Sequence, residues 1–200
     1  DYDIHSEVMK SHQRSGIGNT TIEEYMLRDY KKPRDFKTYL YVSHVLQAEG
    51  IGFGLEAHRR NRDRCMGTLY WQLNDCWPVA SWSSIDYYGK WKALQYYAKK
   101  LFAPILVSPH REDVKVNMHI VSDILEEQPA TLKMTLMDFD GNVKWEKSKD
   151  VTISANTAKI YYAIDEDELL SKVSKDRSFL KAEVELLNGD IASRNIFYFD

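Results

Sequence analysis

The chain has 200 residues, 44% hydrophobic and 28% charged, a balance ordinary for a globular protein with one large core or two small ones. Its formal charge of −3 carries intermixed signs, which offers no field to hold nucleic acid or an anionic membrane, and no apolar run nears the roughly 20 residues of a membrane span. Cys65 and Cys76 are too few for a disulfide scaffold, and no His or Cys spacing matches a metal site, so neither metal nor other cofactor is expected.

The opening DYDIHSEV has no initiator Met and lacks the layout of a signal peptide, so it reads as an excised or processed segment. Residues 3–13 predict a short helix, broken by GIGNTT at 16–21. Thr21-x-x-Glu24 has the form of a capping box and opens a second helix to about Tyr30, which Pro33 stops. A long amphipathic stretch runs from Asp35 to about Arg62. Gly50, Gly52 and Gly54 lie inside it, so the helix either breaks there or packs tightly on a neighbour, such as a barrel strand. The basic cluster HRRNRDR at 58–64 reads as a solvated helix end.

MGTLYWQL at 66–73 is short, apolar and aromatic, the pattern of a strand buried on both faces of a parallel sheet. A loop containing Trp77, Pro78 and Trp82 follows. After Gly89, helical spacing resumes with Trp91, Leu94, Tyr97, Ala98 and Leu101 along one face. Beyond Pro104 the pattern changes to short alternating runs separated by turn signals such as Asp140-Gly141-Asn142 and Asn188-Gly189-Asp190. These predict a sandwich of about seven strands, with Val114, Val116, Met118 and Ile120 inward on one strand and Leu132, Met134 and Leu136 on the next. The acidic insert at 165–176 reads as a surface helix or loop between strands. The boundary falls near Leu101 to Pro109, giving a first unit at 1–103 and a second at 104–200.

The chemistry concentrates where Trp71-Gln72-Leu73-Asn74-Asp75 ends the strand and enters the long loop, since parallel barrels place their sites at the C-terminal ends of strands. An indole there offers a flat apolar face to a sugar ring, and Asn74 and Asp75 can hydrogen-bond hydroxyls. On spacing alone the aromatic residues serve more often as core than as a ligand platform, Trp82 and Trp91 among them, and Asp75 as an anchor for the loop. Trp145, Tyr161 and Tyr162 on the later strands read as scaffold first and as sugar contacts second.

Read whole, GTLYWQLNDCWPVASWSSIDYYGKWKALQYY resembles the end of the catalytic barrel in glycoside hydrolase family 2, and its β-mannosidases above all. With HQRSGIGN at 12–19 and the helix to Arg62, the resemblance covers about residues 1–103; residues 104–200 are similar, more weakly, to the immunoglobulin-like domain that follows. The resemblance implies an α+β chain: the terminal αβα part of a TIM (β/α)8 barrel, then an all-β immunoglobulin-like sandwich. It implies a retaining, exo-acting β-mannosidase as parent, with Trp71, Asn74, Asp75 and Trp77 at the substrate and no cofactor. The catalytic Glu pair of the family stands at the ends of its fourth and seventh strands, whereas Glu7, Glu23, Glu24, Glu49 and Glu56 lie on helical patterns, so both are expected outside this chain.

A mannoside or oligosaccharide substrate and the rest of the parent barrel are therefore the expected partners, with an oligomer as a further one, and the fragment alone is expected to be inactive. Family resemblance puts bacterial relatives in the periplasm and animal ones in lysosomes. Two other readings stand beside this one: a sister β-galactosidase or β-glucuronidase, and a non-catalytic sandwich acting as a carbohydrate-binding or structural module. A lone barrel strand would expose its edges, which predicts rearrangement, poor order or self-association of 1–103 and independent folding of 104–200.

Overall fold

The computed structural model of the chain describes residues 3–199. It contains two compact units, Asp1–Leu55 with Thr68–Leu101 and Glu56–Gly67 with Phe102–Asp200.

The first unit is helical. Helix α1 (Glu7–His12) starts at Ser6, whose Oγ accepts from the Met9 N–H at 3.3 Å. Helix α2 (Gly18–Asp29) starts three residues before the expected capping box, with Ile17 at its N-cap and no side chain capping it. Thr21 is inside the helix, where its hydroxyl donates to the Ile17 carbonyl at 3.0 Å. A threonine can bond back to the preceding turn in this way, so Thr-x-x-Glu forms no cap here. Ile4, Met26 and Tyr39 form the small core, with Ile22, Tyr30, Phe36, Val42 and Leu46 against it.

Helix α3 (Phe36–Arg60) begins where the Asp35 carboxylate accepts from the Thr38 N–H at 2.7 Å, and it runs unbroken through all three glycines. Of the two readings of those glycines, close packing holds at Gly52. A Cβ there would lie 3.2 Å from both Tyr97 and Leu101, residues of helix α4 (Ala93–Leu101). The neighbour is thus a helix and not a barrel strand. Leu94, Ala98 and Leu101 are the buried side of α4, spaced as one face requires.

The second unit is an antiparallel sandwich. Its strands are β1 (Ile105–Glu112), β2 (Lys115–Ser122), β3 (Gln128–Asp138), β4 (Val143–Ile153), β5 (Ala158–Asp165), β6 (Ser178–Leu186) and β7 (Ile191–Tyr198). One sheet has the order β1-β2-β5, the other β4-β3-β6-β7. Gly141 and Gly189, at φ 88° and 86°, turn the β3–β4 and β6–β7 hairpins in a conformation that costs other residues strain. Val116, Met118, Ile120, Leu132, Met134, Leu136, Leu180 and Val184 meet between the sheets at 1% exposure or less. Val114 does not join them: it is 64% exposed, because the chain turns at Asp113 (φ 54°) and β2 begins only at Lys115. The acidic insert forms a short helix, α5 (Glu166–Leu170), which closes one edge of the core with Leu169.

The basic cluster is not a solvated helix end. Residues 56–67 belong to the sandwich unit, and the Arg59 side chain is 8% exposed. It donates to the Ala103 carbonyl and to Asp123, each at 2.7 Å. Arg60 donates to Ser108 Oγ at 2.7 Å, while Arg62 bonds Asp123 and Asn156. A guanidinium presents several donors in a fixed fork, so four residues of that unit, Ala103, Ser108, Asp123 and Asn156, can be met from a single helix end.

Candidate functional site

Residues 66–73 keep the alternation of a strand without its ladder. Thr68, Tyr70 and Gln72 are half-buried, whereas Leu69, Trp71 and Leu73 are 98%, 72% and 56% exposed. The expectation of burial on both faces is therefore corrected. A strand inside a parallel sheet pairs on both sides. The end of the run, Gln72 and Leu73, pairs with the segment 82–85: Gln72 N–H donates to the Trp82 carbonyl (3.4 Å), Ser84 N–H to that of Gln72 (2.9 Å) and Ile85 N–H to that of Leu73 (2.8 Å). The Asn74–Ile85 bridge in this pairing is parallel. On the covered side Tyr70 Oη meets Ser84 Oγ at 3.0 Å and donates to Gln95 Oε1 at 3.3 Å.

The four sequence-predicted site residues divide into two kinds. Trp71 presents its indole to solvent, and Asn74 is exposed, its carbonyl accepting from Gln72 Nε2 at 3.0 Å. Asp75 and Trp77 are engaged within the fold. The Asp75 side chain is 2% exposed. Its Oδ1 accepts from Ser81 Oγ (2.6 Å) and Gln72 Nε2 (3.3 Å), its Oδ2 from Ser83 Oγ (2.5 Å) and Lys92 Nζ (3.4 Å). Trp77 is half-buried, stacked on the His12 ring at 5.4 Å with the Arg14 guanidinium 4.6 Å from its centroid, while His12 bonds the Pro78 carbonyl. Asp75 and Trp77 shape the loop; Trp71 and Asn74 face outward from it.

Trp82 and Trp91, expected in a core, are 54% and 42% exposed. Trp91 precedes α4 and leans edge-on against Tyr96 at 5.1 Å instead of joining Leu94 and Leu101. Sequence reasoning missed the partners of Asp75. Their only trace was the run Ser81-Trp82-Ser83-Ser84, with Lys92 eight residues past its end, in a loop otherwise rich in aromatics. Burial pulls the Asp75 carboxyl upward, but the hydrogen bonds from Ser81 and Ser83 and the Lys92 charge outweigh it and hold the group below its ordinary value. His44 is shifted the same way, chiefly by burial and then by Lys92.

The glutamates of the first unit and of the α3 end all lie on helices and have partners of their own where contacts are present. Glu23 meets His5 at 2.9 Å, Glu49 accepts from the Tyr30 hydroxyl, and Glu56 accepts from Ser108 and Asn195. No group of three or more His, Cys, Asp or Glu among the described residues could hold a metal ion.

Residues 114–200 match the family profile described as the mannosidase Ig/CBM-like domain. Beta-mannosidase A of Aspergillus terreus is 31% identical over 161 residues, 73% of this chain and 17% of that protein. The beta-mannosidase of Rattus norvegicus is 29% identical over 193 residues, 86% of this chain and 21% of that protein. The crystal structure of the beta-D-mannosidase from Dictyoglomus thermophilum superposes with a TM-score of 0.90 at 30% identity, covering 99% of this chain and 24% of that one. The chain belongs to the family 2 β-mannosidases, as a match to their C-terminal part. It spans about a fifth of the length of the curated β-mannosidases it matches. An Amycolatopsis orientalis exo-chitosanase shares the fold at TM-score 0.76 and 19% identity, over 90% of this chain and 21% of that one. The two regions of this β-mannosidase relative are the end of a barrel and an immunoglobulin-like sandwich.

Proposed function

We propose that the chain closes the catalytic barrel of a retaining, exo-acting β-mannosidase that releases terminal β-D-mannosyl residues, and carries the sandwich that follows that barrel. The observation that carries this reading is Trp71, an indole 72% exposed on the open side of an otherwise anchored segment. Such a face suits the C–H side of a pyranose ring. Asn74, exposed three residues on, supplies polar atoms to a sugar hydroxyl. Asp75 and Trp77 then support the loop without touching substrate. Leu69 and Leu73, bare on the same alternating side as Trp71, suit cover by neighbouring barrel strands of a longer chain. The Glu pair, one residue as nucleophile and one as acid/base about 5–5.5 Å apart, would come from those strands.

Turnover of an aryl β-mannoside by the full-length protein tests the activity, with the anomer formed first read by NMR. Retained β-mannose is expected. Inversion would remove the retaining mechanism, and turnover of a β-galactoside or β-glucuronide in its place would move the specificity to a sister activity. Trp71→Ala should lower kcat/KM by more than about tenfold, and a near-normal value would take Trp71 out of the site. The 200-residue chain alone should show no turnover.

A further inference from the structure

We infer that Lys92 is a positioning residue for the sugar platform: through Ser83 and Asp75 it fixes the segment that presents Trp71. The inference rests on the reading of Trp71 as that platform. Lys92 immediately precedes α4, seventeen residues after Asp75, and its side chain is only 9% exposed. Its ammonium donates to Ser83 Oγ at 2.6 Å and lies 3.4 Å from Asp75 Oδ2. Ser83 in turn donates to the same Oδ2, so its one hydroxyl links the two charges.

The network reaches the platform by two routes. Asp75 Oδ1 holds the Gln72 side chain, next to Trp71 in the chain, and also Ser81. The Lys92 N–H donates to the Ser84 carbonyl at 2.9 Å, and Ser84 N–H donates to the Gln72 carbonyl at 2.9 Å. Gln72 is thus gripped by side chain and by backbone from one buried centre. Trp71 has neither a ring contact nor a hydrogen bond of its side chain among the described residues, so its neighbours set its direction. Tyr70 is anchored on one side and Gln72 on the other.

A buried carboxylate with a buried ammonium is a fixed anchor: removing either partner leaves the other's charge uncompensated in a buried site. Lys92 lies on the covered side of the segment and Trp71 on the open side, so the pair can act on a bound sugar only by way of Trp71 and its neighbours.

The test is a double-mutant cycle in the full-length protein, with kcat and KM measured on an aryl β-mannoside for wild type, Trp71→Ala, Lys92→Met and the double variant. Lys92→Met should lower kcat/KM by about tenfold, as loss of orientation without loss of a contact does. In the Trp71→Ala background the same change should lower it less than about twofold, because the platform it positions is gone. Equal losses in both backgrounds would overturn the inference and leave Lys92 a merely structural residue. Should Lys92→Met fail to fold, Lys92→Gln, which removes the charge and retains an amide donor toward Ser83, replaces it in the cycle and must show the same non-additivity. Wild type without turnover of the mannoside would instead overturn the reading of the site itself.

Discussion

The sandwich and the segment from Gly67 to Trp91 are held by opposite means. Between the two sheets, apolar side chains such as Met118, Leu132 and Leu180 meet at 1% exposure or less, and buried polar groups such as Ser108 and Asn195 lie outside that apolar cluster. The loop segment has its buried centre in Asp75, Lys92 and two serines, with Leu69, Trp71 and Leu73 left bare. An apolar core is non-directional and tolerates small shifts, whereas a hydrogen-bonded ionic centre fixes each partner in one place. The difference suits a scaffold on one side and an oriented surface on the other.

The largest contrast between the regions should come from truncating leucines. Leu132→Ala in the sandwich should cost about 2–5 kcal/mol in denaturant unfolding of the chain, since it removes a fully buried side chain and leaves a cavity. Leu69→Ala, at 98% exposure, should leave the same curve within about 0.5 kcal/mol. A large loss at Leu69 would mean that the open side is covered after all.

Next in size is the basic end of α3. Arg59→Ala removes two hydrogen bonds and leaves Asp123 with Arg62 alone, and should cost about 2 kcal/mol in the unfolding of the sandwich. No change would return that cluster to the solvated face its sequence suggested.

Acid should then distinguish the sandwich through His119. Burial first, and the charges of Arg60 and His110 after it, bring this imidazole down to about 4, and its Nε2 has no hydrogen-bond partner among the described residues. The unfolded chain binds a proton at the ordinary His value of 6.5 that the folded chain refuses until about 4. Stability from this group is therefore complete above pH 6.5 and drains as pH falls toward 4. His119→Phe should flatten that part of the stability profile, and an unchanged slope between pH 6.5 and 4 would count against the assignment.

The smallest effect concerns the glycines of α3. Gly50 faces open space, so Gly50→Ala should raise stability by about 0.5–1 kcal/mol. Gly52→Ala, whose Cβ would press on Tyr97 and Leu101, should gain less or lose. Equal gains at both would show that α4 yields freely.

What the sequence made legible follows the range of the forces involved. Period-two runs and Asp-Gly or Asn-Gly turns are local, and they located all seven strands of the sandwich and its β3–β4 and β6–β7 hairpins. The Trp71 run was legible as a family signature, and its alternation is present. Its edge partners could not be read, because pairing is decided by chain elsewhere. The Asp75 centre is non-local in the same sense: nothing near Asp75 announces Lys92 seventeen residues on. Thr21-x-x-Glu24 failed for a local reason, since a threonine hydroxyl bonds a preceding carbonyl as readily as it caps.

The arginines at the end of α3 also bear on how the chain is made and cut. Arg59, Arg60 and Arg62 leave the ribosome 48 to 64 residues ahead of the Ser108 and Asp123 they bond, so the sandwich completes these hydrogen bonds with donors synthesised well before its first strand. A gene trimmed to residues 104–200 would encode all seven strands and still lack those donors. Ser108 and Asn195 would also lose Glu56, on which both of their side chains converge. Grafting or shuffling this sandwich therefore means carrying residues 56–67 along with it, although they lie nearly forty residues from β1 in the chain.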